Sequence, residues 1–102
     1  MAQFILIAYD ATDSQAGERR LAARQAHTQA MVEMREKGRI LCGIAITDET
    51  SKMIGSVLIT DFASRSDFDA WLAEEHYITG KVWDKIEVLT GQLGGAFADL
   101  LK

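Results

Sequence analysis

The chain has 102 residues, 48% of them hydrophobic and 25% charged, with a formal net charge of −4 and a pI of about 5.0. This length fits one domain and not two, and the mild acidity argues against nucleic acid as a partner, because phosphates need a basic patch. The opening MAQFILIAYD has no positive n-region and too short an apolar run for a signal peptide or membrane span, and Cys42 is the only cysteine, so no intrachain disulfide can form; the expected location is the cytoplasm, away from membranes.

Phe4 to Tyr9 is a short, isoleucine-rich apolar run and reads as the first strand. Asp10 to Ala16 is polar and reads as a loop. Gly17 to Lys37 is rich in Ala, Arg, Glu, Gln and Met, which predicts the longest helix, and Gly38 supplies its stop. Arg39 to Thr47 and Met53 to Phe62 read as two strands joined by a hairpin loop. Ser64 followed by Asp67 resembles a capping box and opens a second helix that runs to about Glu75. Val82 to Leu89 reads as the last strand. The remainder, 91–102, is a C-terminal extension beyond a core of about 3–90, with a short helix at Ala96 to Leu101. The order β-α-β-β-α-β predicts an α+β, ferredoxin-like domain with an antiparallel sheet and both helices on one face.

The strands are apolar on both faces. Ile40, Cys42, Ile44 and Ile46 alternate with Leu41, Gly43 and Ala45, and Phe4, Leu6 and Ala8 alternate with Ile5, Ile7 and Tyr9. A sheet with one wet face should alternate apolar with polar. Two helices cover one face only, and the other would leave more apolar surface than the ~300–600 Å² a monomer usually exposes. The expected cover is a second copy of the chain, which would also wall off a chamber beside His27. The alternative cover is the tail, with Leu93, Phe97, Leu100 and Leu101.

His27 shares a helix face with Ala23, Ala30, Met31 and Met34. It reads either as a core histidine satisfied by one hydrogen bond or as a proton-transfer group. Arg24, three residues earlier, is a solvated helix charge or a cation that keeps the imidazole neutral and attracts an anion. Phe68, Trp71, Leu72 and Glu75 share a face of the second helix, which places a carboxylate at the C-terminal end of an apolar stripe, where it opposes the helix dipole. There Glu75 is either wet or positioned to orient an imidazole. No spacing among His27, Glu75 and His76 matches a metal motif. Ser56 is a possible hydrogen-bond donor but lies in no G-x-S-x-G elbow, the Gly91 to Gly95 stretch is no phosphate loop, and Cys42 is expected to be packed.

Four segments resemble the YciI-like family (YCII-related domain), a branch of the dimeric α/β-barrel superfamily: Arg19 to His27, Gly38 to Gly43, Met53 to Ile59 and Trp71 to Tyr77. The resemblance runs from about Phe4 to Leu89. It implies a homodimer and a pocket holding a helix histidine, here His27, with the arginine three residues before it, here Arg24. The family usually carries Asp-Pro-Tyr after the second helix, its aspartate being the histidine's partner. Here the stretch is Glu75-His76-Tyr77, so the carboxylate has a longer arm and the proline is replaced by a histidine. The resemblance further implies proton transfer on a small aromatic or anionic molecule without a cofactor, since one branch eliminates hydrogen chloride from chlorinated hydroxyhydroquinones. The expected activity is thus a cofactor-independent lyase or isomerase, with His27 and Glu75 catalytic and Arg24, Ser56, His76 and Tyr77 around the substrate. The alternative is a non-catalytic small-molecule-binding or accessory domain.

Overall fold

The computed structural model describes residues 1–101; Lys102, the end of the expected extension, lies outside them. The elements are β1 (Ala2–Asp10), α1 (Ala16–Glu36), β2 (Ile40–Thr47), β3 (Met53–Phe62), α2 (Arg65–Glu74), α3 (His76–Thr79) and β4 (Trp83–Gly91), followed by a 3₁₀ turn at Gly95–Leu100. The four strands form one sheet in the order β2-β3-β1-β4, every neighbouring pair antiparallel. This is the ferredoxin-like arrangement that the chain order predicts.

Local chemistry explains the boundaries. Gly38 takes a left-handed φ of 77°, and the amides of Gly38 and Arg39 return to the carbonyls of Arg35 and Met34 at 3.1 and 2.9 Å. That pair of bonds is a Schellman stop, and a side chain at Gly38 would strain it. Ser64 caps α2 by accepting the Asp67 amide at 3.1 Å. In the β2–β3 loop, Asp48 accepts from the amides of Thr50 and Lys52 and from the Thr50 hydroxyl. The Thr50 hydroxyl, then these amides, hold the Asp48 carboxyl below its usual range.

The core lies between the helices and one sheet face. Phe4, Leu6 and Ala8 of β1 and Leu58 and Phe62 of β3 are buried there with Phe68 of α2, and Ala23, Met31 and Met34 of α1 pack against them. On the opposite face, Ile7 pairs with Val57 and Val57 with Ile44, while Ile5 pairs with Ile59 and Ile59 with Cys42.

Two expectations change here. The simple alternation of β2 fails because the pairing register shifts between Ile40 and Cys42. This bulge puts Ile40 opposite Thr60, on the helix side, while Cys42 and Ile44 fall on the open face. Cys42 is accordingly exposed rather than packed. Of the tail residues that could cover this face, Phe97 and Leu101 keep 59% and 44% of their surface in solvent, while Leu93 and Leu100 are half-buried. No helix among the described residues is long and apolar enough to cross a membrane.

Candidate active site

The site is built where α1 crosses the break between α2 and α3. The second helix does not run through Glu75. That residue leaves the helix with extended backbone angles, φ −63° and ψ 135°, and caps α3 instead. Its Oε2 accepts the Tyr77 amide at 2.6 Å, and its carbonyl accepts the amides of Ile78 and Thr79, each at 2.9 Å. Glu75 thus satisfies donors at a helix start, where a carboxylate is favoured, and does not oppose a dipole at a helix end. His76 takes the first helical position of α3. Proline is tolerated at that position because its missing N–H has no helical partner to lose, so a histidine there leaves the break intact.

The other carboxylate oxygen, Oε1, reaches across to α1 and bonds Nδ1 of His27. The Glu75 side chain is only 1% exposed and that of His27 13%. With an ionised carboxylate, which can only accept, and a neutral imidazole, the bond requires the proton on Nδ1 and leaves the lone pair on Nε2. Nε2 makes no hydrogen bond among the described residues and is not among the atoms sealed from solvent. The ring is fixed further by aromatic contacts. It stacks on Tyr77 at 3.7 Å between centroids and 7° between planes, and it meets the edge of Trp83 at 5.8 Å. Tyr77 is itself buried, and burial pushes its phenol above the usual range, with Arg20 and Arg24 pulling the other way.

Beside the pair lies a groove of about 500 Å³ between α1 and the β2–β3 hairpin. His27, Arg24, Ser56 and Tyr77 all line it, while Glu75 stands behind the imidazole. Ser56, on β3 opposite Ala8 and Ala45, is buried in the wall. His76 is not brought to the groove. It is exposed and lies beside Ala22, Ala23 and Ala26 on another surface of α1, because the first position of α3 points away from the cap. The groove opens on the helix side of the sheet, where Ser56 and Leu58 line it, and reaches the β2 edge at Cys42 and Ile44.

One group at the site escaped the sequence reading. Arg20 stands 5.0 Å above the Tyr77 ring and pairs with Asp10 at 2.6 Å, both side chains mostly buried. Its position seven residues before His27, two turns up the same face, was the available signal. Oδ1 of Asp10 and Nε1 of Trp83, whose residues oppose each other across β1 and β4, are buried without a protein partner. Among the described residues no group of three or more His, Cys, Asp and Glu side chains is placed to hold a metal ion.

An antiparallel ferredoxin-like sheet, with a histidine–carboxylate pair at the mouth of a groove on its helix side, defines the class of domain. The sequence assigns the family: residues 2–91 match the YCII-related domain, and the chain belongs to that family. Among solved structures it is similar to 5-chloro-2-hydroxyhydroquinone dehydrochlorinase from Burkholderia phenoliruptrix AC1100 in complex with 2,5-dihydroxybenzoquinone. The TM-score is 0.73 and the identity 18%, over 92% of this chain and 97% of that one. At this identity the likeness is one of fold. No curated protein matches the sequence.

Proposed function

We propose that this chain is a cofactor-independent lyase or isomerase that moves protons on a small aromatic or anionic molecule, with Nε2 of His27 as the base. The supporting observation is the division of labour on one imidazole. Nδ1 is held by the buried Glu75, and Nε2 remains unpartnered at a groove that also carries Arg24. Glu75 orients the ring and stabilises the imidazolium formed when Nε2 takes a proton. Arg24 holds an anionic oxygen, and Ser56 and Tyr77 shape the wall. For a chlorinated hydroxyhydroquinone the steps balance without an oxidant. A hydroxyl proton is carried to the chlorine-bearing carbon, giving a ketone. A second hydroxyl proton is then removed, and chloride leaves with its bonding electrons, so that the net loss is HCl.

The proposed assembly is a homodimer joined through the open sheet face, where Ile5, Ile7, Val57, Ile59 and the 69%-exposed Ile44 lie without helix cover. The exposed thiol of Cys42 suits a reducing compartment, and the proposed location is the cytoplasm.

The test is chloride release from 5-chloro-2-hydroxyhydroquinone by wild type and His27→Gln, the variant that retains a donor toward Glu75. The expected loss is ~10²–10⁴-fold. Equal turnover by both proteins removes His27 from the mechanism. The groove is open to solvent along one side, which favours a second reading, binding without chemistry. Ligand binding with no turnover by either protein selects it.

A further inference from the structure

The groove is larger than proton transfer on one ring requires. A benzene-sized ring is held by a cavity of roughly 150 Å³, whereas this groove holds about 500 Å³, within the range of sites for drug-sized ligands. The extra room runs along α1. Arg24, Thr28, Met31 and Arg35 follow one another at spacings of four, three and four residues, form a single stripe on the helix, and all line the groove. The helix rises ~1.5 Å per residue, so Arg24 and Arg35 are attached about 16 Å apart along its axis. Between them the wall is Thr28 and Met31, and across from it stand the buried Ile40 and Leu58.

Charge marks both ends of this apolar stretch. Arg20 is neutralised by Asp10, but neither Arg24 nor Arg35 belongs to an ion pair among the described residues. The acid that lines the groove is Glu36, next to Arg35. The geometry points to a substrate with two anionic ends and an apolar middle. Its reacting ring sits at His27 and Arg24, and an aliphatic arm runs along Met31 to a carboxylate held by Arg35. This inference rests on the reading of the groove as the substrate site and adds the class of molecule that fills it. About 12 Å of axis separates His27 from Arg35, and an arginine leaning toward the helix N-terminus covers part of that distance. A five-carbon arm spans the rest.

Calorimetric titration of the full chain with three probes tests this: 2,5-dihydroxybenzoquinone, the same ring bearing a pentanoate arm, and the ring bearing the matching pentanamide arm. The pentanoate is expected to bind about tenfold or more tightly than the bare ring, through burial of its methylenes and pairing of its charge. It should bind several-fold more tightly than the amide, through charge alone. Arg35→Gln should bring pentanoate to the amide's level and leave the bare ring unchanged, and Glu36→Gln should tighten pentanoate alone. An arm that adds no affinity, or a pentanoate advantage that survives Arg35→Gln, overturns the inference. The readout is affinity, so its failure is distinct from that of the proposed reaction. A chain that binds the armed ring but releases no chloride from any chlorinated ring refutes the elimination and keeps the two-ended substrate. A chain that turns over the bare chlorinated ring and gains nothing from the arm does the reverse.

Discussion

In the middle of the sheet both faces are apolar and differ in what covers them, although the open face also carries Lys85 and Glu87 on β4. On β1, Leu6 faces the helices and is 0% exposed, while its neighbour Ile7 points to the other side and is only half-buried. The helix side uses its apolar surface twice. It closes the core with Phe68 and the α1 methionines, and, where α1 draws away from the β2–β3 hairpin, it leaves the groove that His27 faces. The open side has rows of isoleucine and valine that no helix among the described residues packs down to full burial, so Ile5, Ile7, Val57 and Ile59 stay half-buried. Apolar content alone therefore does not locate a site. The position of the helices decides which greasy face becomes core and pocket and which one they leave uncovered.

The sharpest way to break this comparison is to truncate neighbours in one strand. Leu6→Ala should cost about 2–5 kcal/mol, as a large-to-small change in a closed core does. Ile7→Ala should cost under about 1.5 kcal/mol at low protein concentration, with the penalty growing as concentration rises if a second copy covers that face. Denaturant melts of both variants at two concentrations measure this, and equal penalties under dilute conditions would dissolve the distinction between the faces. A smaller effect on folding, but a clear one on assembly, is expected from Val57→Lys, in the middle of the open face. A charge there should convert the proposed dimer to an 11.3 kDa particle in sedimentation, with secondary structure retained. A variant that sediments like the wild type refutes the open-face interface.

The smallest expected effect concerns the helix side at alkaline pH. Burial raises the Tyr77 phenol above its ordinary value of 10.0. Below pH 10 the folded and unfolded chains both keep this proton. Above it the unfolded chain ionises first, so the stability contribution is lost as pH rises from 10 through the folded value. Tyr77→Phe, which keeps the ring under His27, should flatten that alkaline decline. Melts between pH 8 and 11 that fall equally in both proteins would show that this phenol is not what the fold protects.

Much of the site could be read from residue order, and for a physical reason. Helical spacing is local, so His27 among Ala23, Met31 and Met34 marked the buried face of α1 before any contact was known. Gly38 and Ser64 likewise announce their cap and stop through their own backbone preferences. The role of Glu75 was only half legible. Its carboxylate was a candidate partner, but the helix break that turns it into a cap depends on how α3 packs against α1 and β4. Arg20 carries no such local mark, because its worth comes from Asp10 and Tyr77, which no local spacing connects to it.

What the chain determines by itself is the set of elements, their order and the apolar character of both sheet faces, because these follow from interactions within a few residues. Tertiary structure alone decided three things. It set the parity of β2, where one bulged residue sends Ile40 to the helix side and Ile44 to the open face. It joined His27 to Glu75 across 48 positions of sequence. And it put the groove on the helix side, since a cavity is the space that packed elements fail to fill, and that space appears only when they pack.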